Sequence, residues 1–123
     1  MNKGQIIKNQ SLGRKFTFAW NGIVHAIKHE DNLKRHVVSG LIVICFFGWL
    51  NISAIWWALI SLSIGLVIAA ELANSAIEAL IDYLHPEIHE QIGHVKDMLA
   101  GMVLILSIVA VLIGLLAIAS VLV

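Results

Sequence analysis

The chain has 123 residues, 59% of them hydrophobic and 13% charged, with a formal net charge of zero and a mean hydropathy of +0.90. Soluble domains run near ~45–50% apolar and ~25% charged, and a domain this small could not hide so much apolar surface from water, so the composition excludes an ordinary soluble fold and implies a single membrane-embedded domain over residues 1–123. Lys3, Lys8, Arg14, Lys15, Lys28, Lys34 and Arg35 all precede residue 36 and only Lys96 follows; this is a topology signal, without the basic stripe and exposed aromatics that nucleic-acid binding would need.

Residues 1–12 read as a mobile tail, and the first 36 residues lack the apolar core of a cleavable signal peptide. Over residues 14–29, Phe16, Ala19, Trp20, Ile23, Val24 and Ile27 recur at helical spacing, with Arg14, Asn21, His25 and Lys28 largely opposite. That pattern predicts an amphipathic helix, lying on the membrane surface or packed on protein.

Three apolar runs follow, expected as spans over about 33–50, 52–70 and 98–121, the second continuing as helix to about 84. A spanning helix needs about 20 mainly apolar residues to cross ~30 Å of hydrocarbon. The first run is short, and Lys34, Arg35 and His36 would snorkel into the headgroups at its start. Its lone cysteine, Cys45, reads as a packing residue and excludes an internal disulfide or a thiolate metal cluster. Asn51, with Ser53, makes a hairpin turn between the first two spans. A charged, His-rich connection runs over residues 82–97 before the third. The fold class is therefore all-α membrane protein, three transmembrane helices plus an N-terminal surface helix. The positive-inside rule places the N-terminus and the 82–97 connection in the cytoplasm, and Asn51 and the C-terminus outside.

Chemistry concentrates where the second run ends. Glu71, Asn74, Glu78 and Asp82 are offset by three, seven and eleven positions, which aligns them within about 60° on one helix face. Stacked carboxylates repel, and near a membrane their ionised forms are costly to desolvate. A divalent cation offsets that cost, and Mg²⁺ takes oxygen ligands with substrate phosphates, which points to nucleotide-dependent phosphoryl transfer. The bland alternative is a solvated polar face on a helix leaving the bilayer. Glu30 and Asp31, ahead of the first span, and Lys96 and Asp97, ahead of the third, fall at the same membrane boundary. The chain has neither a Walker loop nor the protein-kinase motifs. His85, His89 and His94 lack zinc-ligand spacing: His89-Glu90 is followed by a His five positions on rather than four, and Pro86 interrupts the helix.

The string Glu71-x-x-Asn74-Ser75-Ala76-Ile77-Glu78-x-x-x-Asp82, followed by His89 and Lys96-Asp97, resembles the prokaryotic diacylglycerol kinase family, which includes undecaprenol kinases. The resemblance spans about residues 14–120 and includes Gly22 and Glu30. It implies a homotrimer of three-span subunits in the bacterial inner membrane, using Mg²⁺ and ATP to phosphorylate a lipid alcohol. It assigns Glu71 as the catalytic base, Glu30 and Glu78 as metal ligands, and Asn74, His89, Lys96 and Asp97, with Glu30 and Glu78, to the nucleotide and phosphates. Asp82 and Glu87 border that site, and Ala100 joins Glu71 at the acceptor. The stretch Glu30-Asp31-Asn32, with His36 downstream, is more like the undecaprenol branch. Ala100 and Phe18 stand where the diacylglycerol branch has Ser and Tyr. A polyprenol acceptor is thus slightly favoured, with diacylglycerol a close competitor. Two readings of other classes are a small proton-coupled transporter, which would need an acid deep within a span, and a non-catalytic membrane subunit, which leaves the acidic column without a purpose.

Overall fold

The computed structural model describes residues 11–123. Four helices follow in order: α1 (Leu12–His29), α2 (Asp31–Leu50), α3 (Ala54–Leu84) and α4 (Glu90–Leu122). Among the described residues there is no strand, and α2, α3 and α4 are long and apolar enough to cross a membrane. The all-α, three-span architecture with an N-terminal helix is the one the composition demands.

Residues 1–10 of the expected tail lie outside the described residues. Ser11 and Leu12, also placed in that tail, instead open the helix: Ser11 is the N-cap of α1 and its Oγ accepts from the Arg14 amide at 3.3 Å. A serine at this position satisfies one of the unpaired amides of the first turn. Leu12, Phe16 and Trp20 are exposed, whereas Ala26 is buried. The forward half of α1 thus offers an aromatic face that no other described residue covers, as a helix lying in the headgroup layer would.

A single residue separates α1 from α2. Glu30 adopts φ −112°, ψ 110°, and its amide still donates to Ala26 O at 2.8 Å. Its side chain makes no capping hydrogen bond, so the carboxylate is left for other partners. The α2–α3 turn uses Asn51 at φ 60°, ψ 57°, the left-handed region in which asparagine is among the few tolerated side chains. Phe47, Ile52, Ile60 and Ala117 pack into a core cluster beside this turn.

The helices overrun the apolar runs. The expected connection over residues 82–97 shrinks to an irregular stretch of 85–89. Asp82 sits in the last turns of α3, while Lys96 and Asp97 belong to α4. Pro86 accounts for the break, since it cannot donate to a helix and restricts the residue before it. α3 has 31 residues, which is about 46 Å of helix against a hydrocarbon layer of roughly 30 Å. Counting roughly 20 residues of membrane from Ala54 puts the far boundary near Asn74, with Glu71 just inside it.

Along the spans, Leu41, Ile42, Trp49, Leu62, Leu104 and Leu115 are exposed, which in lipid is the solvated state. Cys45, read from sequence as a packing residue, is also exposed. The three-helix bundle leaves one side of α2 uncovered, and the thiol lies there.

Candidate functional site

The acidic end of α3 is built by helix periodicity. Glu71 and Asn74 are buried, at 3% and 7% exposure, and Ser75 beside them is also buried. Glu78, one turn further, is half-buried, and Asp82 is exposed. The column therefore runs from the protein interior out to water, over about 16 Å between Glu71 and Asp82 at 1.5 Å per residue.

Burial is costly for both leading groups. Asn74 Oδ1 is buried and has no hydrogen-bond partner among the described residues. An unpaired buried acceptor forfeits about 1–3 kcal/mol, and such atoms are explained by strain, a catalytic role, or a water or ion that completes them. The Glu71 carboxylate faces an imidazole: His36 Nε2 on α2 lies 3.6 Å from Glu71 Oε2. His36 is half-buried, its side chain 29% exposed. It also lines an apolar cavity of about 400 Å³ among α2, α3 and α4, walled by Val43, Phe47, Ile60, Val67 and Val111.

At the outer end of the column, Lys96 Nζ donates to Asp82 Oδ1 at 2.6 Å. This joins α4 to α3 ahead of the apolar stretch that starts at Met98. The hydrogen bond to Asp82 holds the Lys96 ammonium pKa above its ordinary 10.5, opposed by some desolvation and helped by the charges of Asp82 and Glu78. Lys96 is thus within the electrostatic reach of both lower acids of the column.

The other sequence-predicted residues are spread around this end. Glu30 is half-buried at the α1–α2 junction, while Asp97 and Ala100 are exposed on α4. Glu87 lies exposed in the irregular 85–89 stretch. His89 is the N-cap of α4, its Nδ1 accepting from the Gln91 amide at 3.1 Å. No cluster of three or more His, Cys, Asp or Glu side chains able to cage a metal exists among the described residues. Mg²⁺ is bound through one or two carboxylates together with phosphates instead of a full protein cage, and Glu30, Glu78 and the unpaired Asn74 oxygen are oxygen donors of that kind.

Sequence reasoning missed His36 as part of the site, reading it as a headgroup-level anchor. The signal was present: His36 and Glu71 lie at comparable distances from the Asn51–Ser53 turn along antiparallel helices, so they arrive at similar depth.

Buried acceptors at the edge of a three-span bundle, with carboxylates and a lysine at its polar end, are compatible with a membrane-embedded phosphotransferase. Residues 17–118 match the family profile described as prokaryotic diacylglycerol kinase. The chain belongs to that family, and it is an ATP-dependent lipid kinase. It is 38% identical over 95 residues to a diacylglycerol kinase of Escherichia coli K12, covering 77% of this chain and 78% of the relative. It is 33% identical over 104 residues to an undecaprenol kinase of Bacillus subtilis, covering 84% of each. A diacylglycerol kinase of Synechocystis is 33% identical over 100 residues, 80% of this chain and 57% of that protein.

Proposed function

We propose that the chain transfers the γ-phosphate of ATP directly to the hydroxyl of a membrane lipid alcohol, undecaprenol or diacylglycerol, at the end of α3 that carries Glu71. The observation that carries this reading is the buried Glu71 carboxylate beside an unpaired Asn74 oxygen. Two acceptors without a strong donor, at the estimated membrane boundary, suit an incoming hydroxyl and the cationic side of a nucleotide complex.

In this reading Glu71 accepts the proton of the acceptor hydroxyl as its oxygen attacks phosphorus. Asn74 and Lys96 orient the phosphates, Asp97 and His89 border the nucleotide, and Asp82 and Glu87 flank its entry. Ala100 faces the acceptor together with Glu71. Glu30 and Glu78 would hold Mg²⁺, which when bound neutralises charge on the phosphate oxygens. The lipid supplies the nucleophile and ADP leaves, so no phosphoenzyme is required. Family relatives carry both substrate names. The Glu30-Asp31-Asn32 stretch with His36 favours the polyprenol.

The same reading places the protein as a homotrimer in the bacterial cytoplasmic membrane, N-terminus inside and C-terminus outside. Seven of the eight Lys and Arg residues precede residue 36 and the eighth, Lys96, falls at the same boundary, which supports that orientation.

The test is purified protein in detergent with ATP, Mg²⁺ and each lipid in parallel. Labelled phosphate on undecaprenol exceeding that on diacylglycerol is the expected result. Transfer to diacylglycerol alone reverses the substrate assignment, and no transfer to either from a folded sample removes the proposal.

A further inference from the structure

We propose that His36 is a positioning residue that holds the Glu71 carboxylate in register for the acceptor hydroxyl. The inference rests on Glu71 being the base in the reading above.

Three observations meet at this side chain. His36 Nε2 approaches Glu71 Oε2 at 3.6 Å, with the carboxylate only 5% exposed. The nearest side-chain neighbours of Glu71 along its own helix face are Asn74, whose Oδ1 lacks a donor, and the hydroxyl-bearing Ser75. His36 also lines the apolar cavity among the three spans. His36 therefore borders both a hydrocarbon-lined space and the carboxylate.

A separation of 3.6 Å is a contact longer than a hydrogen bond. In catalytic sites such contacts commonly tighten only in the substrate complex. With Nε2 protonated, His36 donates to Oε2 and leaves Oε1 to take the proton of the incoming alcohol. The ring restricts the rotation of a side chain that forms no other salt bridge among the described residues. The Lys96–Asp82 pair lies about 16 Å further along α3, so His36 acts on the acceptor half of the reaction and not on the nucleotide half.

The experiment compares full-length wild type with His36→Ala, His36→Gln and His36→Leu in detergent. It measures kcat, the KM for lipid, the KM for MgATP and the thermal midpoint. The expected result is a kcat lower by on the order of tenfold or more in His36→Ala, with the KM for MgATP unchanged, as for an interaction expressed in the transition state. His36→Gln, which keeps an N–H donor, recovers much of that loss. Equal losses in the Gln and Ala variants, wild-type kcat in Ala, or a rise in the MgATP KM matching the loss in kcat would each overturn the proposal. Should the alanine variant not fold, His36→Leu against His36→Gln makes the same comparison without opening a cavity. A Glu71→Gln enzyme that still turns over refutes the base assignment itself. An inactive Glu71→Gln beside an unaffected His36→Ala rejects only the role of His36.

Discussion

Lys96 and Asp82 are locked together at 2.6 Å across the α3–α4 junction, at the water end of the column whose buried end is Glu71. A lysine that binds phosphate must leave or share this partner when ATP arrives. Replacing Lys96 with Met removes the cation altogether, and the KM for ATP is expected to rise on the order of tenfold, the usual scale for a charge-assisted hydrogen bond. Asp82→Asn releases Lys96 and should keep the KM within about threefold of wild type. Steady-state kinetics on the two variants decides the point: equal increases would mean that nucleotide engages the pair as a unit.

The same pair has a defined pH behaviour. Because the Lys96 ammonium is held above 10.5, first by its hydrogen bond to Asp82, its contribution is complete below the ordinary lysine value. It is lost only as pH rises through the folded value. A rate profile between pH 6 and pH 9, taken for wild type and Lys96→Arg, should therefore carry no inflection that differs between them; a shifted limb in that window would contradict the assignment.

Glu71 is the group on which the chemistry turns. Glu71→Gln retains the shape of the buried side chain but cannot take a proton. Turnover is expected to fall by at least about 10²-fold, the lower bound for a positioned general base. Nucleotide binding should survive, because Lys96, Glu78 and Glu30 are untouched. Isothermal titration with a non-hydrolysable ATP analogue measures that directly, and parallel loss of binding and turnover would reassign Glu71 to the nucleotide.

Much of this layout could be read from residues alone. The acidic column follows from helical spacing and needs only that α3 continue past its apolar run, which it does to Leu84. The limits of the connection were harder. Glu90, Gln91, His94, Lys96 and Asp97 are polar, so hydropathy reads them as loop, yet they are good enough helix formers to extend α4 back to the cap at His89. Propensity and capping, not hydrophobicity, set that boundary. The His36–Glu71 contact was hidden for another reason: the two are 35 positions apart, and only the antiparallel packing of α2 on α3 brings them together.

Glu78 tests the magnesium assignment. It is half-buried between Glu71 and the Lys96–Asp82 pair, and its charge is felt by Lys96. Glu78→Gln removes a ligand charge, so the Mg²⁺ concentration for half-maximal rate should rise on the order of ten- to a hundredfold, as for lost metal-supporting groups elsewhere. Titrating Mg²⁺ at fixed ATP gives the answer, and an unchanged curve would take Glu78 out of the metal site.

The spacing of α2 and α3 ties packing to catalysis through Gly40. A Cβ at this position would lie 3.0 Å from Ile64 Cγ2, so the glycine allows the two helices to approach closely, a common device where lipid provides no hydrophobic drive for association. Gly40 is one turn along α2 from His36, and both line the same cavity. Gly40→Leu should therefore do two things at once. It should overpack the α2–α3 contact at about 1–3 kcal/mol, lowering the thermal midpoint in detergent. It should also lever His36 away from Glu71 and reduce kcat. Gly48, on the same helix, has nothing within 4 Å of an added Cβ. Gly48→Leu should leave kcat unchanged and stability unchanged or slightly raised, since leucine is the better helix former by about 1 kcal/mol. If both variants lose stability equally while kcat stays at the wild-type level, close approach at Gly40 does not govern the distance between His36 and Glu71.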